Sequence, residues 1–462
     1  MQETSERSPL LQGRMMPGPT RWFVLASFCL FSFTNALQWI AFSPALQTFA
    51  KYFFDETSLK TTNAINAFSG SYMIIYPILV PFSFSFLEDK EGSSIGSGLI
   101  RGVRIGAILN ALGGTLRWLG AYPSWQGYLV VFAGQILSAV AQVFMLALPP
   151  RLAVAWFRPD EINFVTAIAV SFNNLGIATG FALTPILVPG TKTMMTDIPR
   201  FMALQMVLCL VALAAICYFF KKDPSQNYHR VDEPEIEIDA APSSGFSKEE
   251  SLTLFRQPSF VLLLLSFAMV MGAQCAVFSL LAQILSPSFE LENNVAVGLL
   301  GSVMLLIGVP PSILIGKLLD ATHRYMLICR LLYISVFASV IALTVSAGLE
   351  WFTLAVAACL IFGIASSAIL PAVFQWAGEL YYPVNEVVPT GYLCMTGNIG
   401  GWLLVLIMGW TENPDVRFTM LPPMLILIAS LFVGIVALFL TGGELKRLAS
   451  QKYPNVDTSI EP

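Results

Sequence analysis

Residues 34–43 read TNALQWIAFS and lie about halfway along an apolar run that begins at Trp22. Asparagine, glutamine and tryptophan make poor contacts with lipid tails, so Asn35, Gln38 and Trp39 need a reason to be there. Together with Phe42 they are spaced i, i+3, i+4 and i+7 and share one face of a helix. An indole face can hold a cation for about 0.5–2 kcal/mol, and an amide can hydrogen-bond a polar solute. Side chains of this kind are tolerable at membrane depth when they line a water-filled path. They are equally tolerable as hydrogen-bonded contacts between neighbouring helices, and Trp39 could also belong to an interfacial belt. Spacing alone leaves these readings open.

The surrounding chain sets the elements that must position this face. Of 462 residues 56% are hydrophobic and 12% are charged, with a mean hydropathy of +0.70. Soluble domains carry roughly 25% charged residues, so the class is an all-α integral membrane protein. A spanning helix needs about 20 mostly apolar residues. Twelve such runs are expected at 22–49, 64–86, 102–120, 126–148, 163–188, 201–220, 259–285, 295–318, 326–347, 351–373, 388–410 and 419–441. They are too long and continuous for barrel strands. A formal net charge of −4 argues against a nucleic-acid partner. The seven cysteines all fall in apolar runs, there is no C-x-x-C, and His229 and His323 lie in polar loops. Neither a metal site nor a disulfide framework is expected, nor a cofactor. Enzymatic chemistry is not expected either, because the spans hold no paired carboxylates and no Ser/His arrangement. The first apolar run is too long for a signal-peptide core, so the N-terminus is expected to stay attached.

Basic residues orient the spans. With the N-terminus placed in the cytoplasm, 19 of the 25 Lys and Arg fall on the cytoplasmic side and 6 on the other. Both termini are then cytoplasmic. The expected division is a tail at 1–21, a six-helix half at 22–220, a linker at 221–257, a second six-helix half at 258–441 and a tail at 442–462. The linker contains VDEPEIEIDAAPSSG, flexible by composition, and SKEESLTLFRQ, suited to a short amphipathic helix on the membrane surface. ERSPLL near the start has the form of an acidic dileucine signal, which gives a candidate sorting-adaptor contact at Glu6, Leu10 and Leu11. The plasma membrane and a lysosome or vacuole are the compartments considered, and a monomer in the lipid bilayer is the expected state.

The halves echo each other at an offset of 224 residues. Pro159, Thr166, Asn174 and Gly176 match Pro383, Thr390, Asn398 and Gly400 in spans five and eleven. SFLEDK after span two, with Asp89, parallels GKLLDATHR after span eight, with Gly316 and Asp320. Parallel six-helix halves are the arrangement of the major facilitator fold, in which the substrate sits near the midplane between them. The turn EDKEGSS keeps Asp89, Lys90 and Gly92 and resembles that family's cytoplasmic gate motif without its usual basic pair. Three stretches then carry a narrower resemblance: NALQWIAFS, LPPRLAVAWFRPDEINFVTAIAVSFNNLGIATGF and ELYYPVNEVVPTGYL. They resemble the feline leukemia virus subgroup C receptor-related transporters over most of residues 20–440.

The resemblance implies a small organic solute as partner, choline-like or another small cation, with haem or a vitamin-like solute as alternatives. A receptor that keeps the fold without turnover is the other reading. Asn35 and Trp39 match family positions in span one. Asn174 and Asn398 stand where the family has substrate-contacting glutamines. A family aromatic in span seven falls near Gln274 and Cys275, with Phe278 the nearest ring. The implied substrate set is therefore Asn35, Gln38, Trp39, Phe42, Asn174, Gln274, Phe278 and Asn398. The implied gating set is Asp89, Lys90, Arg151, Asp320 and Glu379, the last matching a family glutamate and expected to pair with Arg151 or Arg158. No carboxylate or histidine sits mid-span. Proton coupling usually needs one there, so facilitated movement is expected.

Overall fold

The computed structural model describes residues 20–87, 96–190, 192–220, 248–289, 294–411, 418 and 420–452. Asp89, Lys90, Glu6, Leu10, Leu11 and the acidic part of the linker lie outside these residues. Lipid offers no partner for backbone N–H and C=O groups, so a chain this apolar satisfies them within helices. Among the described residues there are only helices and connecting turns. Twelve of the helices are long and apolar enough to cross a membrane.

The first half is built from α1 (Thr20–Ile40), α2 (Leu46–Phe54), α3 (Leu59–Leu87), α4 (Ser97–Leu119), α5 (Trp125–Val143), α6 (Pro149–Trp156), α7 (Ile162–Leu187) and α8 (Met194–Phe219). The short α9 (Lys248–Arg256) precedes the second half: α10 (Pro258–Phe289), α11 (Asn294–Thr322), α12 (Tyr325–Gly348), α13 (Phe352–Leu380), α14 (Val387–Trp410) and α15 (Leu421–Leu440). A last helix, α16 (Lys446–Lys452), follows.

Two expected spans are broken. The run 22–49 ends as α1 at Ile40, turns through a 3-10 segment at Ser43–Ala45 and resumes as α2. Pro44 lacks an N–H and crowds the preceding turn, which stops the first helix. The run 126–148 likewise ends as α5 at Val143, and α6 restarts at Pro149–Pro150, where proline suits a first helical turn. The segment SKEESLTLFRQ does form a helix, α9. Its Leu254 is buried, and Phe255 meets Phe260 and Tyr392 edge-on.

The halves meet along two related pairs, α3 with α14 and α7 with α11. Each seam has one glycine that lets the helices approach. A β-carbon on Gly316 of α11 would stand 2.7 Å from the Asn163 carbonyl of α7. One on Gly391 of α14 would stand 2.6 Å from the Phe84 ring of α3.

Candidate functional site

Between the halves lies a cavity of about 1050 Å³, counting its part open to solvent. From α1 it is lined by Ser32, Ala36, Trp39 and Ile40. At roughly 100° per residue these form one stripe. Asn35 and Gln38 form a second stripe, turned about 100° from the first, and Phe42 lies beneath them in the turn that follows α1. The four sequence-predicted residues do share an arc, but only Trp39, at its edge, lines the cavity. The expectation that all four do so is corrected.

The second stripe faces into the first half. Asn35 Nδ2 donates to Asn110 Oδ1 (2.9 Å) and to the Ser138 carbonyl (2.8 Å). Gln38 Nε2 donates to Asn110 Oδ1 (3.1 Å), and Gln38 Oε1 accepts from Ser138 Oγ (2.7 Å) and Arg117 Nη1 (3.0 Å). Arg117 is 1% exposed, and its guanidinium lies 4.8 Å from the centre of the Phe42 ring. Phe42 is in turn stacked on Phe68 at 4.2 Å. The helix-contact reading therefore describes Asn35 and Gln38. Gln38 also has Arg117, at the end of α4, as a partner. A buried guanidinium needs acceptors, and a mid-span glutamine one helix away supplies one.

Trp39 is held differently. Its indole Nε1 donates to the Ser69 carbonyl of α3 (3.1 Å), and the residue lines the cavity. Asn174 on α7 and Asn398 on α14 both line the cavity, one from each half, as do Gln274 and Phe278 of α10. Asn398 Nδ2 is committed to the Cys394 carbonyl (2.8 Å). Asn174 Nδ2 and Gln274 Oε1 are buried without a hydrogen-bond partner. Phe278 meets Phe181 of α7 at 6.5 Å, a ring contact across the two halves.

Sequence reasoning missed other lining residues: Ser32, Tyr72, Gln142 and Asn173 among the polar ones, Met73, Met145 and Met271 among the flexible apolar ones. Asn173 stands beside Asn174 in the pair FNN, and Gln142 is an amide deep in an apolar run; either feature was a usable signal. Among the described residues that line the cavity, none is Asp, Glu, Lys, Arg or His.

At the end of the bundle where α1 begins and α15 ends, α7 and α11 are locked. Asp320 accepts from the backbone N–H groups of Asn163 (3.0 Å) and Phe164 (2.9 Å) and from the Asn163 side-chain amide (2.5 Å). A carboxylate at the N-terminus of a helix from the other half meets both the free N–H groups and the positive end of the helix dipole. Tyr325 accepts from Asn163, and Gln375 of α13 donates to Thr166 of α7. Arg151 donates to the Leu87 carbonyl at the end of α3. Glu379 does not make its expected pair. Its ion pair is with Arg447 of α16 at 3.9 Å, and Arg447 also meets Glu386 at 2.8 Å. The pairing follows from the chain path, because α16 folds back under α13 and places its arginine beside both carboxylates.

This geometry, two six-helix halves around a central cavity with a polar lock at one end, defines a membrane carrier class. The family model described as Major Facilitator Superfamily matches residues 28–405, and the chain belongs to that superfamily. Within it, the chain belongs to the feline leukemia virus subgroup C receptor-related transporters. It is 31% identical to the choline/ethanolamine transporter FLVCR1 of Felis catus, covering 96% of this chain and 77% of that one. It is 28% identical to the choline/ethanolamine transporter flvcr2b of Danio rerio, covering 95% and 87%. Among solved structures it resembles a bacterial homologue of the iron transporter ferroportin in an outward-facing state (TM-score 0.66, 11% identity, 91% and 98% covered). It also resembles the Escherichia coli fucose:proton symporter (TM-score 0.64, 14% identity, 91% and 98% covered). At such identities these structures bear on the fold alone.

Proposed function

We propose that the chain moves a small organic cation of the choline and ethanolamine kind by alternating access, without a coupled proton. The observation that carries this reading is the cavity itself. Amides from both halves and Trp39 surround a space that no described Asp, Glu, Lys, Arg or His side chain lines. Aromatic faces and amide oxygens can hold a small cation without a counter-ion. The substrate set becomes Trp39, Asn174, Gln274, Phe278 and Asn398, with Asn35, Gln38 and Phe42 supporting α1 from behind. Asp320 serves as the gate between the halves, with Arg151 and Glu379 bracing the helices on either side of it. Asp89 and Lys90 keep the gating role that their motif implies.

Basic-residue placement supports cytoplasmic termini, and the lock at that end supports an outward-facing state. The compartment, plasma membrane or lysosome and vacuole, rests on the signal at Glu6, Leu10 and Leu11. Purified protein in liposomes, offered radiolabelled choline and ethanolamine, tests the reading. Saturable uptake of either is the expected result. Saturable binding with no uptake would favour the receptor alternative.

A further inference from the structure

We infer that the cavity selects ammonium compounds that carry N–H groups over quaternary ones, and that Gln274 and Gln142 set this preference from opposite halves. The inference rests on the transport reading above and names the substrate class within it.

Three cavity amides have unmet hydrogen-bonding atoms: Gln142 Oε1, Asn174 Nδ2 and Gln274 Oε1. Asn174 is 3% exposed and Gln274 6%, so bulk water does not serve them. The Tyr72 hydroxyl is likewise unmet, and its single O–H can donate to a hydroxyl or accept from an N–H. Three other donors of the wall are already engaged. Asn398 gives its NH2 to Cys394, Asn173 gives its NH2 to Ser32 Oγ (3.4 Å), and Trp39 gives its N–H to Ser69. An amide free of protein partners can turn its oxygen or its NH2 to a ligand. A buried amide left unmet costs about tenfold in binding.

The rings do not decide between ammonium types. A primary and a quaternary ammonium both carry one positive charge and both gain from an aromatic face. The amides do decide. Methyl groups would cover them and supply no donor, whereas N–H groups satisfy the oxygens of Gln142 and Gln274 and recover what the ammonium loses in leaving water. Sites built to hydrogen-bond a donor reject analogues that lack it by orders of magnitude. Asn174 and Asn398 alone could hold the hydroxyl that such compounds share. Gln142 and Gln274 exceed that need.

The test is a methylation series at constant charge. Full-length protein in liposomes takes up radiolabelled ethanolamine while unlabelled ethanolamine, N-methylethanolamine, N,N-dimethylethanolamine or choline competes. Inhibition should weaken as each N–H is replaced, by about tenfold or more from first to last. Gln274→Leu should cost ethanolamine about tenfold and leave choline within about twofold, which flattens the series. Gln142→Leu, at a partly exposed position, provides the same readout if the first variant does not reach the membrane. Choline competing as well as ethanolamine overturns the inference while leaving transport intact. So does a Gln274→Leu protein that weakens all four equally. Protein that neither binds nor carries any of the four overturns the transport reading and this inference with it.

Discussion

Trp39 and Gln38 are neighbours in sequence with opposite duties, and each makes its own prediction. Trp39 presents a ring to the cavity, steadied by one hydrogen bond to α3. Trp39→Ala should abolish uptake at matched surface expression, and Trp39→Phe should keep part of it, since a smaller ring retains part of the cation contact. Full uptake by the alanine protein would remove Trp39 from the site. Gln38 accepts from buried Arg117 and from Ser138. Gln38→Leu takes an acceptor away from a charge buried from solvent and should cost roughly 3 kcal/mol of stability. It should lower the melting temperature in detergent while leaving substrate affinity unchanged; a shift in affinity without loss of stability would sink that assignment. Helical spacing made the arc of residues 35–42 legible. It could not say which way the arc pointed, because periodicity fixes relative angles and packing fixes the absolute one. Asn174 and Asn398 were legible for a different reason. The internal repeat ties them to equivalent places in two halves, and a cavity on the repeat axis receives both.

At the level of elements, long apolar runs made the twelve crossing helices readable, because lipid imposes length and composition on each. The breaks at Pro44 and before Pro149 were not readable from hydropathy, which is blind to a missing N–H or to a turn among apolar residues. The partner of Glu379 was equally hidden, since it comes from α16, 68 residues further along the chain. The lock between α7 and α11 supplies the prediction at this scale. Asp320→Asn keeps the shape but removes the charge that faces the α7 N-terminus. The loss should be about 1–2 kcal/mol, the worth of a well-placed charge at a helix end. Backbone amides of Asn163 and Phe164 should then exchange with deuterium about tenfold faster, reported by mass spectrometry of the peptide that spans the start of α7. Unchanged exchange there would show that the seam is held by packing around Gly316 instead.

The molecule as a whole couples a solute to whatever charge moves with it, and the cavity bears on which charge that is. Its described lining has no carboxylate, histidine or lysine to load and release a proton during the cycle. Asp320, Glu379 and Glu386 are held at the end where α1 begins, engaged with the α7 N-terminus or with Arg447. Substrate charge should then be the only charge translocated. Liposomes given a pH difference of about one unit, clamped at zero membrane potential, should bring a permanent cation to equal concentrations on both sides. A potential that is negative inside should concentrate the same cation, since one elementary charge is worth about 2.3 kcal/mol per 100 mV. A neutral solute should ignore that potential, so the paired measurement also reports the charge of the substrate. Uphill accumulation of a non-titrating solute under the pH difference alone would overturn uncoupled transport. Glu379 and Glu386 would then be the first groups to neutralise, because Arg447 already joins them in one buried cluster that protonation would loosen.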